Sequence, residues 1–373
     1  MSVVITEQKQ HGHMQPRDLA RNPMIVYWEM TQACGLACRH CRAEAMLQKH
    51  PRELNYTESC ALLQQIRAFG DPLPHLILTG GDPLRRPDLY ELIDEAVSLG
   101  IEVSITPAAT QNLTREVIET LRAHRIQSLG LSLDGSNARS HEAVRGVPGC
   151  FDWTMNAARY AAELDMPIQV NTLVAAETAD DLPAIFDLLL TQRVMRWSLF
   201  FLIGVGRGRM LEPVSPERGE DIMRWSLNLA RAAPFAMKTT EAPSYRRIAL
   251  EEMRAHNMPP EAIRSSSVYR GFGIRDGNGI VFVSNTGDIC PAGFLPLALG
   301  NVRDNPLPEM YRDEPTFRAL HDANTFKGKC GECEYRVICG GSRARAFAAT
   351  GDPLESDPFC PFQPERNKHE LFQ

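Results

Sequence analysis

The chain has 373 residues, which is long for one small core and suits one large α/β domain with an appendage. A net charge of −6 argues against the basic face of a nucleic-acid-binding protein. The first residues lack the layout of a signal peptide, and the most apolar run, SLFFLIGVG, is too short to span a bilayer. We therefore expect a cytoplasmic protein with no membrane or nucleic-acid partner.

From about residue 24, apolar β-rich runs alternate with amphipathic helical stretches. The six predicted strands are MIVYWEM, HLILTG, EVSIT, LGLSLDG, IQVNTLV and WSLFFLIG. The predicted helices between them cover residues 57–69, 88–99, 114–124, 153–164 and 182–192. Continuous apolar strands separated by helices indicate a parallel sheet covered by helices. The predicted fold class is α/β, a partial (β/α)6 barrel similar to a TIM barrel but short of its eight units.

Beyond residue 210 the pattern is less regular. The sequence predicts a helix over 216–232, a hairpin in GIVFVSNTGDIC and a short helix over 309–322, before a cysteine-rich tail. The expected domains are a flexible N-terminal lead (1–22), the barrel (23–235), a connecting segment (236–275) and a hairpin-plus-helix extension (276–373).

The unusual segments of the sequence directly follow predicted strands. TQACGLACRHCRAEA follows the first strand, TGGDP the second, SLDG the fourth and GVGRGR the sixth. Parallel α/β sheets gather their chemistry at the carboxyl ends of the strands. The sequence therefore places its candidate site at that edge of the sheet.

Ten cysteines without an export signal argue against a disulfide scaffold, because the cytosol keeps thiols reduced. Seven of them form two groups, which indicates metal sites. The groups are Cys34, Cys38 and Cys41 near the N-terminus, and Cys330, Cys333, Cys339 and Cys360 in the tail. The isolated Cys60 and Cys150 are interpreted as ordinary core residues.

The spacing C-x3-C-x2-C differs from the paired knuckles of most zinc sites, although zinc remains the main competitor. Three thiolates on one side of a [4Fe–4S] cube would leave one iron open to a non-protein ligand. His40 lies within the loop and could be a fourth ligand, but its position between two committed cysteines favours a side chain that points away.

The cysteine loop after the first strand, together with GGDP after the second, resembles the radical S-adenosylmethionine (AdoMet, or SAM) superfamily. This resemblance implies a [4Fe–4S] cluster whose open iron binds AdoMet and cleaves it reductively. The resulting 5′-deoxyadenosyl radical then abstracts a hydrogen atom from a substrate. The cofactor supplies the radical chemistry and the protein supplies positioning. An external electron donor, such as flavodoxin or ferredoxin, is also implied.

The resemblance further implies cofactor-binding positions at the ends of the second, fourth and fifth strands and just beyond. They are Gly80, Gly81, Asp82, Pro83, Ser132, Asp134, Arg145 and Asn171. The two glycines would let the backbone approach the methionine part of AdoMet. Asp82 stands where the family usually has glutamate. Each polar position could equally be an ordinary hydrogen-bonding residue at a strand end. The sequence assigns no catalytic residue.

The tail resembles the SPASM/twitch extension, which carries auxiliary iron–sulfur clusters. Its four cysteines would close one auxiliary [4Fe–4S] site, with zinc as the alternative. The full SPASM pattern has seven cysteines for two clusters. Here Cys290 stands alone in the hairpin region, and Arg343 occupies the place of another expected cysteine. We therefore expect one auxiliary cluster, with Cys290 a spare thiol or an occasional ligand.

The motifs together resemble the branch of enzymes for alternative haem and haem d1 biosynthesis, which remodel tetrapyrrole propionates. Arg207, Arg209, Arg343 and Arg345 would suit a carboxylate-rich substrate, although any one of them could be an ordinary solvated arginine. The first alternative is a maturase acting on a ribosomally made peptide, which the short segment before the first strand disfavours. The second is a non-catalytic iron–sulfur or zinc protein, which has no use for TGGDP.

Overall fold

The computed structural model describes residues 17–270 and 273–364, so most of the predicted flexible lead lies outside the described residues. The strands are β1 (Ile25–Thr31), β2 (His75–Gly80), β3 (Val103–Ile105), β4 (Leu129–Ser132), β5 (Ile168–Val174), β6 (Arg196–Phe201), β7 (Ala236–Thr240), β8 (Arg275–Asp276), β9 (Gly279–Val283), β10 (Asp288–Cys290) and β11 (Gly300–Asn301).

The helices follow the strands in alternation through the first half of the chain. They are α1 (Tyr56–Arg67), α2 (Leu89–Ser98), α3 (Arg115–Ala123), α4 (Ala138–Arg145), α5 (Cys150–Glu163), α6 (Leu182–Leu190), α7 (Pro216–Leu229), α8 (Ser244–Ala255), α9 (Pro260–Ser265), α10 (Ser267–Arg270), α11 (Leu307–Asp313), α12 (Pro315–His321), α13 (Gly328–Glu332) and α14 (Arg343–Thr350). No helix of the described segments is long and apolar enough to cross a membrane.

These strands form a single sheet in the order β11-β10-β9-β1-β2-β3-β4-β5-β6-β7, with β8 paired to β9. Strands β1 to β7 are consecutive parallel neighbours. The sheet is open at both edges, which confirms the predicted α/β fold class and agrees with a partial TIM-like barrel. All seven carboxyl ends therefore lie along the same edge.

The tail hairpin extends this sheet. Strands β9 and β10 are antiparallel, as predicted, and β9 also pairs in parallel with β1. The tail is thereby attached beside the strand that leads into the cysteine loop. Residues of the hairpin can consequently reach the same edge of the sheet as the cysteines.

The helices cover the sheet with apolar faces. In α2 the buried side chains are Leu89, Leu92, Ile93 and Ala96, which share one face of the helix. Burial of each large aliphatic side chain stabilises the fold by about 1.5–3 kcal/mol. Thr114 caps α3, since its side chain accepts a hydrogen bond from the amide of Val117.

Three local expectations differ from the structure. The helix predicted over 309–322 is two helices, because Glu314 before Pro315 is extended and caps the second one. Strand β7 covers AMKTT, within the segment predicted only as a connection. Its polar composition gave no signal for a strand. Helix α4 was also missed, since its polar sequence shows no apolar stripe. It is nevertheless capped by Asn137 and ended by Gly146.

Candidate functional site

A cavity of about 300 Å³ opens at the carboxyl edge of the sheet. Most of the positions predicted to bind metal or cofactor line it. From the predicted set they are Cys34, Cys38, Cys41, Gly80, Gly81, Ser132, Asp134, Arg145 and Asn171. The fold therefore brings together segments that lie more than one hundred residues apart in the chain.

The cysteine loop is fixed by backbone hydrogen bonds at both ends. The amide of Cys34 donates to the carbonyl of Met46 at 2.8 Å, and the amide of Met46 donates to the carbonyl of Gln32 at 2.9 Å. In the middle of the loop, the amide of Arg39 donates to the carbonyl of Val144 at 2.9 Å. The loop thus has a defined path over the end of the sheet.

Gly80 and Gly81 allow this loop to lie against the end of β2. A Cβ atom on Gly80 would come within 2.4 Å of the carbonyl oxygen of Thr31, and one on Gly81 within 2.5 Å of that of Ala33. Gly80 also has a positive φ of 133°. At these positions the structure shows close approach by the chain's own backbone, whereas the sequence predicted an approach by the cofactor.

The loop thiols are largely buried and close to one another. Burial raises the pKa of Cys34 to about 11, with small further contributions from Cys38 and Cys41. Two backbone amides point at the sulfur atoms, from Leu36 to Cys34 Sγ at 3.3 Å and from Ala45 to Cys41 Sγ at 3.5 Å. Amide hydrogen bonds of this kind stabilise cysteine sulfur when it carries negative charge.

No three His, Cys, Asp or Glu side chains within residues 17–270 and 273–364 meet at a point that a single metal ion could occupy. A polynuclear cluster makes a different demand, because each thiolate binds its own iron atom. The lack of a single-ion site among the described residues therefore does not bear on a cluster that spans the three sulfur atoms.

Asp134 and Arg145 form a buried pair in the wall of the cavity. Arg145 Nη1 lies 3.3 Å from Asp134 Oδ2, and the other carboxylate oxygen accepts the amide of Leu173 at 2.8 Å. Burial acts to raise the pKa of Asp134, but His40, Arg145 and the amide of Leu173 act in the opposite direction, and the pKa lies below its usual value. Asp134 is consequently an anion that orients Arg145.

His40 lines the same cavity, with its Nε2 3.4 Å from Arg145 Nη1. Burial lowers the pKa of His40 to about 4, so the imidazole is neutral near pH 7. The side chain therefore faces the cavity as an uncharged polar group beside the arginine.

Asp82 and Pro83 do not belong to the lining of the cavity. Asp82 Oδ1 accepts the amides of Leu84 and Ala108, each at 3.3 Å. Burial raises the pKa of this carboxyl to about 6. In this position the aspartate joins the turn after β2 to the segment after β3.

The opposite wall of the cavity is apolar and partly supplied by the tail. Phe200 and Phe294 have ring centroids 6.3 Å apart, and Phe282 and Ile280 of β9 lie beside them. The sequence offered no signal for this wall, because its members come from β6, from β9 about 80 residues later and from the segment after β10.

An acidic pair, also missed from the sequence, lies where barrel and tail meet. Glu241 follows β7, Asp276 ends β8, and their carboxyl groups are hydrogen-bonded to each other. The Ser342 hydroxyl donates to Glu241 at 2.5 Å, and the Ala344 amide donates to Asp276 at 2.9 Å. Burial raises the pKa of Glu241 well above its usual value, and the neighbouring Asp276 carboxylate acts in the same direction.

The four tail cysteines line a second, smaller cavity, together with Arg247 and Lys329. Burial raises the pKa of Cys333 to about 12, and Cys360 and Cys330 add to this effect. Backbone amides donate to Cys333 Sγ at 3.4 Å and to Cys330 Sγ at 3.4 Å. The structure therefore assembles Cys330, Cys333, Cys339 and Cys360 around one space.

Cys290 does not belong to the lining of either cavity. It ends β10, where burial raises its pKa to about 12 and the strongest charged neighbours are Asp288, Arg42 and Glu29. The three charged side chains that most affect this pKa thus belong to the barrel and the hairpin. The tail cysteines are not among them.

The four arginines predicted to suit a carboxylate-rich substrate have different surroundings. Arg343 is fully buried and donates to the carbonyl oxygens of Pro353 and Glu355, while Arg345 pairs with Asp357 at 3.3 Å. Arg209 is exposed. Of the four, only Arg207 lines the central cavity.

The fold and the site define a class of protein: an α/β partial barrel with a three-cysteine loop at the carboxyl edge of its sheet. Residues 28–189 match the family model described as the Radical SAM superfamily. The chain is 36% identical over 347 residues to the AdoMet-dependent heme synthase of Methanosarcina barkeri, which covers 92% of this chain and 97% of that protein. It is 34% identical over 360 residues to the AdoMet-dependent heme synthase of Nitratidesulfovibrio vulgaris, covering 95% and 97%.

The chain therefore belongs to the radical SAM superfamily, and it is an enzyme. Membership implies a [4Fe–4S] cluster and AdoMet as cofactors. The crystal structure of Streptococcus suis SuiB bound to the precursor peptide SuiA resembles the fold with a TM-score of 0.70. The match covers 92% of this chain and 76% of that one, and at 18% identity it supports the shared fold alone.

Proposed function

We propose that this enzyme cleaves AdoMet reductively at a [4Fe–4S] cluster held by Cys34, Cys38 and Cys41, and uses the 5′-deoxyadenosyl radical to abstract a hydrogen atom from a propionate side chain of a haem-related tetrapyrrole. The observation that carries the proposal is the single cavity in which the cysteine loop meets strand-end residues of β2, β4 and β5. The names of the two heme synthases, which match nearly the whole chain, support the substrate class.

The three loop cysteines are better suited to be ligands of a cluster than to remain as free thiols. Burial keeps Cys34 and Cys38 protonated in the absence of a positive partner, because it raises the pKa of each thiol. Iron would supply the positive charge and release the protons. The amides directed at Cys34 and Cys41 would then stabilise the bound sulfur atoms.

In this proposal, residues on the barrel side of the cavity bind AdoMet. Arg145, held by Asp134, would pair with the methionine carboxylate, since a guanidinium can do so through two parallel hydrogen bonds. Ser132 and Asn171 are register partners on β4 and β5 and offer short polar side chains beside it. Asp82 contributes by fixing the turn after β2, which keeps Gly81 against the cysteine loop.

The apolar wall formed by Phe200, Phe282, Phe294 and Ile280 suits the face of a flat, mostly apolar macrocycle. The four tail cysteines are proposed to hold one auxiliary [4Fe–4S] cluster as an electron relay, with flavodoxin or ferredoxin as the external donor. In this scheme the tail has two roles, because its hairpin supplies part of the substrate wall and its cysteines hold the second cluster.

Anaerobic reconstitution followed by iron and sulfide analysis tests the proposal. Two clusters give about eight irons per chain, and the reduced protein should release 5′-deoxyadenosine from AdoMet. Cys38→Ala should abolish this cleavage and keep about four irons in the tail. Cys60→Ala, in helix α1, is the matched control and should behave like the wild type.

The substrate is tested with an iron porphyrin that carries propionates, by mass spectrometry for decarboxylated product. Wild-type cleavage rates in Cys38→Ala would refute the ligand assignment. Turnover of a short precursor peptide, with no reaction of the porphyrin, would favour a peptide maturase instead.

A further inference from the structure

The charged side chains around the central cavity are almost all paired within the protein. Arg42 Nη1 lies 2.9 Å from Glu29, and Arg145 Nη1 lies 3.3 Å from Asp134. The remaining arginine of the lining is Arg207. Within the described part of the chain, it has no salt bridge and no side-chain hydrogen bond.

Arg207 is held firmly at its backbone. Its amide donates to the carbonyl of Cys41 at 3.1 Å, in the turn that follows β6. The preceding Gly206 has a positive φ of 53°, and a Cβ there would come within 2.6 Å of the same Cys41 oxygen. The tight contact with the cysteine loop therefore fixes the position from which the side chain enters the cavity.

Two of the three guanidinium nitrogen atoms, in contrast, have no partner among the described residues. Nε and Nη2 of Arg207 are buried and have no hydrogen-bond partner. Arg207 as a whole is half-buried, but enclosed donor atoms without an acceptor are unfavourable, so they mark a place where a partner can bind.

The acidic groups of the cavity do not provide this partner. Glu241 and Asp276 bond to each other and to Ser342 and Ala344 of the tail. Glu29 forms an ion pair with Arg42, and Asp134 forms one with Arg145. An anion for Arg207 must therefore come with a ligand.

We infer that Arg207 binds a carboxylate of the substrate and thereby selects for a propionate-bearing molecule. This inference rests on the proposed function, in which Arg145 already takes the carboxylate of AdoMet. The planar guanidinium matches a carboxylate with two parallel hydrogen bonds, which a lysine cannot reproduce.

The position of Arg207 also fits the chemistry. The amide of Arg207 donates to the carbonyl of Cys41, and both residues line the central cavity. Arg207 is thus close to the cysteine loop. A propionate held by it would therefore lie in the same cavity as the loop cysteines.

The test compares Arg207→Gln, Arg207→Lys and Arg209→Gln as cluster-loaded proteins. Arg209 lies in the same turn but is exposed, so its variant is the matched control. Binding of an iron porphyrin with free propionates, and of its methyl ester, is measured by absorbance titration, and that of AdoMet by calorimetry. Iron content establishes that each variant is assembled.

Arg207→Gln should bind the free acid about 10- to 100-fold more weakly than the wild type, and Arg207→Lys should show a partial loss. Arg209→Gln should bind it normally. The methyl ester should bind to wild type and Arg207→Gln equally, and AdoMet affinity should stay within about twofold. The wild type should itself prefer the acid to the ester, which tests the inference even if a variant fails to assemble.

Equal binding of the acid by the wild type and Arg207→Gln would overturn the inference and leave the proposed function intact. A selective loss of AdoMet affinity in Arg207→Gln would also overturn it, since the arginine would then belong to the AdoMet site. Failure of the wild type to bind either porphyrin would overturn both this inference and the proposed tetrapyrrole substrate.

Discussion

Substitution of Gly81 by alanine should displace the cysteine loop without removing any of its proposed ligands. The new Cβ would lie 2.5 Å from the carbonyl oxygen of Ala33 and 2.7 Å from that of Gln32. Normal contacts need about 3.5 Å, so the two segments must separate by about 1 Å. Both obstructing atoms are backbone atoms, and a change of side-chain rotamer cannot relieve the overlap.

The separation also strains two short backbone hydrogen bonds. The amides of Gly81 and Asp82 donate to the carbonyls of Thr31 and Ala33, each at 2.7 Å. Loss of these bonds costs about 1 kcal/mol each, and overpacking costs about 1–3 kcal/mol, which gives about 3–5 kcal/mol in total. An unfolding entropy of about 0.8 kcal/mol/K for this chain length converts this to a melting temperature lower by about 4–6 °C.

The assay combines thermal unfolding under anaerobic conditions with the rate of 5′-deoxyadenosine release. A misplacement of about 1 Å at a reacting centre can cost about 100-fold in rate. The control is Gly204→Ala, because a Cβ at Gly204 meets no atom within 4 Å. That variant should change stability by less than about 1 kcal/mol. Melting temperature and rate in Gly81→Ala equal to those of the control would refute the reasoning.

Three further substitutions test other parts of the structure. Burial raises the pKa of Glu241, so the folded state loses stability as pH rises from about 4.5 through that raised pKa. The melting temperature of Glu241→Gln should therefore vary less with pH than that of the wild type, and parallel profiles would contradict this. Arg343→Lys should cost about 3 kcal/mol and lose tail iron, because the guanidinium bonds two buried carbonyls, yet keep its AdoMet affinity. Cys290→Ala should retain about eight irons per chain, and a loss would identify Cys290 as a ligand.

Much of the fold follows from local sequence patterns. The alternation of apolar strands with amphipathic helices predicted six parallel strands, and the structure has all six in chain order. The spacing of Cys34, Cys38 and Cys41 pointed to a cluster, because three ligands within eight residues depend little on the rest of the chain. TGGDP was recognised for the same reason, as a short motif at the end of a strand.

Contacts between distant segments could not be predicted in this way. The sequence grouped Arg207, Arg209, Arg343 and Arg345. Only the folded chain shows that Arg343 is enclosed by carbonyl groups, while Arg207 faces the cavity without a salt-bridge partner among the described residues. The same holds for Gly81, whose obstructing atoms belong to another loop.

The sequence by itself thus determined the class of fold, the two cysteine groups and the edge of the sheet where they belong. The tertiary structure decided which polar groups are paired with one another and which are left for a ligand, as for Glu241 with Asp276 and for Arg207. The physical reason is that strand and helix periodicity is written in neighbouring residues, whereas the burial and pairing of a charge depend on every segment that packs around it.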